Sequence, residues 1–272
     1  MERLLLILYL PLFLFSDICA QDASHAKQEI LYKVCCINDT IENKVLVDTF
    51  CLRFNESMSL FYEKDTFEND SLRNNDISKW SLKMSQVLNG VSSNDKAGQS
   101  YYVLADYNHG IYTFQDDISG SLYRYTDSLP SFGWQIFPTY KMIKGYKCQK
   151  AIGSYMGRKY EVWFTSDISV KANPWKFYGL PGLIIDAYDT HCLYRFSFVG
   201  VRSCSGSIAL FPAKHFKTTK EKFLREKNLY LDDPVEYLEN KAVVKIHFGE
   251  SSQGISTEMK NTCRHQPIEI IE

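Results

Sequence analysis

Apolar and polar residues alternate with a period of two along much of the chain. Tyr160, Val162 and Phe164 alternate with Glu161, Trp163 and Thr165, the period of a half-buried strand. The same alternation predicts strands over residues 30–37, over 44–54 with a break at Asp48-Thr49, and over 58–62. Short strands follow over 101–107, 111–114, 122–125, 134–143, 150–155, 160–164, 183–188 and 193–201. Ala242, Val244, Ile246 and Phe248 predict a final one. Helical spacing intervenes at Leu72, Ile77, Trp80, Met84 and Leu88, which predicts a helix over 69–88. Thr218-Thr219-Lys220-Glu221 reads as a capping box opening a helix that runs to about Lys227.

Many strands with one helix after the third and another near the end predict a mainly β chain of the α+β kind. The expected form is a curled antiparallel sheet or half-open β-barrel with one or two packing helices. Residues 21–248 are expected to form one β-rich domain, because no linker or repeat divides them. Residues 249–272 read as a polar, flexible tail with an apolar end at 268–271. A concave apolar face would suit a hydrophobic ligand or an envelope protein partner. A closed core would give the same alternation.

Aromatic residues make up 14% of the chain and concentrate between Tyr101 and Phe198. Trp134, Trp163, Trp175, Phe177 and Tyr178 are the candidates for lining a binding groove, since flat amphipathic rings contact lipids, sugars and peptides well. The plainer reading is that they fill the sheet's core. Trp175 stands apart, following Pro174 in a loop-like stretch where a ring has less structural reason to be.

The hexapeptide Gly179-Leu180-Pro181-Gly182-Leu183-Ile184 reads as a turn feeding a buried strand. Pro181 pre-sets φ for the second position of a type I or II turn, and Gly182 tolerates the positive φ that type II requires at the third. Leu183, Ile184 and Ile185 have the composition of a strand covered on both faces. Together with Gly145-Tyr146-Lys147-Cys148-Gln149-Lys150-Ala151, Gly157-Arg158-Lys159-Tyr160-Glu161-Val162-Trp163-Phe164-Thr165 and Pro174-Trp175-Lys176-Phe177-Tyr178, this segment resembles the GLPGLI family. These are secreted or envelope proteins of one lineage of Gram-negative bacteria, named for that hexapeptide. The resemblance runs from about residue 30 to the helix near Lys222. It departs at Ser169, where the family has Pro, and at Asn173, where it has Gly, both in a predicted loop. It implies a fold and an exported location, and brings no settled activity and no agreed catalytic residues.

The N-terminus agrees with export. Met1-Glu2-Arg3 precedes an apolar run over 4–15, and Cys19-Ala20 offers a small residue for cleavage, so residues 1–20 read as a signal peptide. Ser16-Asp17-Ile18 is a poor lipobox, which argues against lipidation of Cys19. Beyond the leader no stretch is apolar for long enough to span a bilayer. The expected location is the periplasm, the outer-membrane surface or the medium. With 31 Lys+Arg against 32 Asp+Glu there is no basic stripe for nucleic acid and no basic amphipathic helix for a membrane surface.

Cys35, Cys36, Cys51, Cys148, Cys192, Cys204 and Cys263 form an odd set, for which three disulfides and one free thiol are expected in an oxidising compartment. Cys192 and Cys204 are a plausible local pair. Adjacent Cys35 and Cys36 point to opposite faces of a strand. His191-Cys192 and Cys263-Arg264-His265 place soft ligands together, but without Cys-x-x-Cys or His-Glu-x-x-His spacing no metal and no cofactor is expected. No nucleophile elbow and no phosphate-binding Gly-rich loop occurs. Asp186 with Asp189, and Arg158 with Glu161, read as water-facing turn caps and a surface ion pair. Asp39-Thr40-Ile41, Asp70-Ser71-Leu72 and Asp127-Ser128-Leu129 resemble O-glycosylation acceptor triplets of the same bacterial lineage. The functions left are non-enzymatic binding of an apolar ligand or partner, a hydrolase with a dispersed site, and a metal-handling protein.

Overall fold

The structure is a computed structural model that describes residues 25–39, 44–88, 99–241 and 267–270. The predicted strand over 242–248, the leader, Thr40 and Cys263 lie outside the described residues.

Twelve strands form one sheet: β1 (His25–Asp39), β2 (Lys44–Phe54), β3 (Met58–Glu63), β4 (Tyr102–Asp106), β5 (Ile111–Ile118), β6 (Ser121–Ser128), β7 (Gln135–Ile143), β8 (Tyr146–Tyr155), β9 (Arg158–Thr165), β10 (Leu183–Asp189), β11 (Tyr194–Ser207) and β12 (Phe216–Lys217). Their order is β12-β6-β5-β4-β3-β2-β1-β11-β10-β9-β8-β7. All neighbours are antiparallel except the short parallel pair of β12 with β6. The two ends, β12 and β7, do not pair among the described residues, so the sheet is open.

Alternation decides the faces. Tyr32 and Val34 of β1, Phe50 and Leu52 of β2, and Phe61 of β3 join the main core, where Phe50 stacks on Phe61 at 4.8 Å. Burial of rings this size stabilises by about 1.5–3 kcal/mol each. The opposite face of β2–β4 carries Cys51, Leu60, Tyr62 and Tyr102, a second core closed by Phe67 and by Ile208 and Leu210. The connection between β9 and β10 turns back into the main core. There Trp175 meets Phe132 and Tyr160 on one side, and the Lys176 ammonium stands over the rings of Phe114 and Tyr125 on the other. Side chains of this connection, in place of backbone hydrogen bonds, therefore bridge the two arms of the sheet.

The predicted helix over 69–88 is two helices, α1 (Lys64–Asn75) and α2 (Ile77–Leu88). Asp76 separates them: its N–H closes the last turn of α1 on Leu72 O, and its carboxylate accepts from Lys79 N at the start of α2. Glu63 caps the start of α1 by accepting from Asp65 N and Thr66 N. The second predicted helix is α3 (Lys220–Asp232), with Thr219 and not Thr218 at the cap, followed by α4 (Pro234–Lys241). No helix of the described residues is long and apolar enough to cross a membrane.

The hexapeptide does not make a type I or II turn. Gly182 N–H donates to Leu180 O (3.0 Å), a three-residue γ-turn centred on Pro181. Gly182 has φ +148°, and a Cβ there would lie 2.1 Å from Thr165 O, so the glycine is required by close backbone approach. Asn173, where the GLPGLI pattern has Gly, is buried and holds this turn from inside. It donates to Gly182 O (3.3 Å) and accepts from Ile184 N (2.8 Å).

The expected disulfides are absent among the described residues: Cys35, Cys36, Cys51, Cys148, Cys192 and Cys204 are free thiols. Cys192 sits in the turn before β11 and Cys204 near that strand's far end. An extended strand of that length holds the two sulfurs apart. Cys35 and Cys36 do face opposite sides, Cys36 being buried in the main core and Cys35 half-buried outside it.

The expected water-facing carboxylates are buried instead. Asp189 accepts from Arg158 Nη1 (3.0 Å) and Tyr194 N (2.7 Å), and Asp186 is held by Arg195 and Ser197. Arg158 is buried with Asp189 and not paired with Glu161, which takes Lys150 at 2.6 Å. Within the expected flexible tail, residues 267–270 are docked: Ile270 N–H donates to Met156 O, and Pro267 O accepts from Arg158.

Candidate functional site

A cavity of about 450 Å³ lies between the main core and α3. Thr219 caps α3, and its apolar positions fall at helical spacing, so Phe223, Leu224, Tyr230 and Leu231 face the cavity. Asp233 closes the last turn through its N–H to Leu229 O, and Pro234 starts α4, where its missing N–H costs nothing. The sheet contributes Cys36, Phe114, Tyr125 and Tyr194, and the β9–β10 connection contributes Trp175 and Lys176. Pro267, Ile268 and Glu269 complete the wall.

The lining is mostly apolar, with a small set of polar groups. Asp116 accepts from Ser100 Oγ (3.2 Å) and Lys227 Nζ (2.9 Å). Lys176 pairs with Glu269 and donates to Tyr125 OH (2.8 Å). Burial pushes the Lys176 pKa down, against the pull of the Glu269 carboxylate. Burial raises Tyr125 and Tyr101 well above the usual phenol range and pushes the Cys36 thiol up to about 12. Gln99 Oε1, Tyr101 OH, Trp175 Nε1 and Glu269 Oε2 are buried and have no hydrogen-bond partner among the described residues. Each buried polar atom left so costs about 1–3 kcal/mol. Trp175 also has φ +51°, a backbone conformation uncommon for a large side chain, and a positive φ which it shares with Ser119, Lys144, Met156 and Cys192.

Of the five aromatic candidates, Trp175 alone lines this cavity. Trp134 stacks on Phe132 at 4.8 Å and donates to Tyr178 O. Trp163 carries Lys141 Nζ 3.9 Å above its ring and donates to Glu161. Phe177 packs among Phe132, Tyr160 and Phe196, and Tyr178 stacks on Tyr107. The hexapeptide 179–184 positions the strand behind Trp175 and holds no cavity contact.

Lys176, Glu269, Asp116 and Lys227 were not singled out by the sequence pattern. Two of them carry a signal. Lys176 is a lone charge inside Trp175-Lys176-Phe177-Tyr178, and Glu269 a lone charge inside Pro267-Ile268-Glu269-Ile270-Ile271. A charge inside an apolar run needs a buried partner, and here each is the other's.

A second cleft, on the other side of β1, is lined by Cys35, Cys192, Asp186, Tyr188, Arg195 and Lys141 among others. No group of three His, Cys, Asp or Glu among the described residues could hold a metal ion, and Cys263 and His265 lie outside them.

No family model and no curated protein matches the chain. Among solved structures it is similar to PNGF-II in two crystal forms, space groups P21 and C2, with TM-scores of 0.48 and 0.47 and 13% identity in both. Each alignment covers 74% of this chain and 32% of the other, so the chain spans about a third of the length of these structures. A likeness at that level carries no argument about function.

Proposed function

We propose that this chain is an exported protein of the GLPGLI type, acting at the cell envelope or outside it, which holds an apolar ligand in the cavity under α3 without chemically transforming it. The observation that carries this reading is the cavity's make-up: aromatic and aliphatic walls, a few converging polar groups, and buried polar atoms without partners. That combination is the general form of a small-molecule site. The docked segment 267–270 supports it, since the chain closes one wall of the cavity with its own ordered residues. The signal-peptide pattern of residues 1–20 supports the exported location.

A hydrolase is the alternative. Among the described residues, the Ser100 hydroxyl at the cavity wall meets a carboxylate, that of Asp116. Asp116 is already engaged by Lys227, and no histidine of the described residues lines the cavity to take a proton from it. Binding is therefore the reading preferred here.

Native mass spectrometry of the protein purified from its own envelope fraction tests the proposal. A retained apolar molecule, lost on denaturation, is the expected result. A bare mass, together with no uptake of an environment-sensitive apolar dye, would sink it.

A further inference from the structure

Lys176 and Glu269 lie at the wall of the cavity with side chains 1% exposed each. An ammonium group has three hydrogens to donate. Two of those on Lys176 have acceptors among the described residues, Glu269 Oε1 and Tyr125 OH. Glu269 Oε2 accepts nothing among them. One spare donor and one spare acceptor thus belong to the same ion pair, and the pair is neutral overall. The rings of Phe114, Tyr112 and Tyr125, at 4.4, 5.0 and 5.4 Å from Lys176 Nζ, fix where the ammonium sits. Oε2 is buried and Glu269 belongs to the cavity wall, so a head group reaches it from the cavity by a small shift of that wall.

We propose that the cavity selects an apolar ligand with an uncharged head that both accepts and donates a hydrogen bond, an alcohol or primary amide, seated against Lys176 and Glu269. The inference rests on the cavity reading above. Charge decides between heads. A carboxylate head would leave the buried site with a net negative charge, and an alkylammonium head with a net positive one. An uncompensated charge in an apolar interior costs far more than one hydrogen bond returns. A hydroxyl or carboxamide accepts from Nζ, donates to Oε2 and leaves the site neutral. Trp175 Nε1 and Tyr101 OH, at the same cavity and without partners among the described residues, supply hydrogen-bonding capacity for a further oxygen of an oxygen-rich head.

The test uses the full chain at neutral pH with four matched dodecyl compounds, the alcohol, primary amide, carboxylate and ammonium, each kept below its micelle concentration. Displacement of an environment-sensitive apolar dye is read for each. The alcohol and amide are expected to displace the dye at roughly a hundredfold lower concentration than either charged compound, the scale of an uncompensated buried charge. Lys176→Met with Glu269→Met is expected to keep dye binding and lose the preference. Glu269→Gln, which leaves a buried cation, is expected to shift the preference toward the carboxylate and gives the same readout should the double variant not fold. A charged compound binding as tightly as the alcohol overturns the head-group inference and leaves the cavity reading intact. Failure of the dye and of all four compounds to bind overturns both.

Discussion

Arg158 holds the Asp189 carboxylate with one edge of its guanidinium and the Pro267 carbonyl with the other. The distances are 3.0 Å from Nη1 to Asp189 and 2.9 Å from Nε to Pro267 O, with both charged side chains almost fully buried. The guanidinium also lies over the Tyr194 ring at 5.1 Å. One cation thus ties the β10–β11 turn and the docked end of the chain to β9.

Removing one partner of a buried pair leaves the other charge uncompensated. Asp189→Ala should therefore lower stability by roughly 3–5 kcal/mol, measured by denaturant unfolding. Arg158→Met should in addition free residues 267–270, seen as faster amide exchange there and easier C-terminal proteolysis. Unchanged exchange at Ile270 would show that the segment is held by other contacts.

The hexapeptide glycine is a steric requirement. Gly182→Ala should cost roughly 3–5 kcal/mol or prevent folding, because its Cβ would collide with backbone at Thr165. Gly120→Ala, at φ +79° with open space around it, should cost only about 1–2 kcal/mol. Similar melting points for the two variants would contradict this account of the motif.

Trp175 combines packing with an unpartnered donor, and two substitutions separate the roles. Trp175→Ala should destabilise by about 3–5 kcal/mol, since it empties a site ringed by Phe132, Tyr160, Phe177 and Phe196. Trp175→Phe removes the buried N–H and keeps most of the ring. It should melt within a few degrees of the parent and bind the cavity ligand more weakly. Equal ligand affinity in Trp175→Phe would remove Nε1 from the binding role.

Glu29 gives a pH dependence with a definite sign. Burial alone would raise its pKa, but hydrogen bonds from Tyr62, Arg202 and Arg53 outweigh burial and leave the carboxyl below its usual 4.5. A depressed carboxylate contributes stability that is present above the unfolded value and lost as pH falls through the folded one. Unfolding midpoints should therefore drop on acidification below about 4.5, and Glu29→Gln should flatten that drop while starting from a lower midpoint at neutral pH. An identical acid limb in both proteins would assign the loss to other carboxylates.

Thiol reactivity should follow exposure. Cys192 is exposed, whereas Cys36 and Cys51 are buried with their thiols pushed up to about 12, chiefly by burial. Of these three, Cys192 should react with a water-soluble disulfide reagent in the folded protein, and the other two should react only on unfolding. Rapid native labelling of Cys51 would contradict the second core under α1.

Strands were legible where one face alone is buried, because period-two alternation records that geometry directly. The predicted span 44–54 coincides with β2, which runs through Asp48 and Thr49 without the expected break. β10, buried on both faces, was legible instead as a short apolar run, and 183–188 falls one residue short of it. The break at Asp76 was hidden, since Leu72, Ile77 and Trp80 keep near-helical spacing across it and only the cap geometry shows the interruption. The site was legible at Trp175, marked by its place after Pro174, and hidden at Glu269. Its meaning depends on a partner ninety-three positions earlier that no local pattern connects to it. The cysteines misled because their count suggested pairing, whereas pairing is decided by which strands carry them.

β1 has a consequence for the order of assembly. Tyr32 pairs across to Phe50 a short way along the chain, and on its other side to Phe198, more than half the chain later. As synthesis proceeds, the meander from β1 to β6 can form by local contacts alone, while the other edge of β1 stays without a neighbour until β11 emerges. Loop-closure entropy makes such distant pairing the slow step of folding, and an open edge invites association in the meantime. Changes in β11 should then be felt first in folding yield, before they register in the stability of the finished sheet.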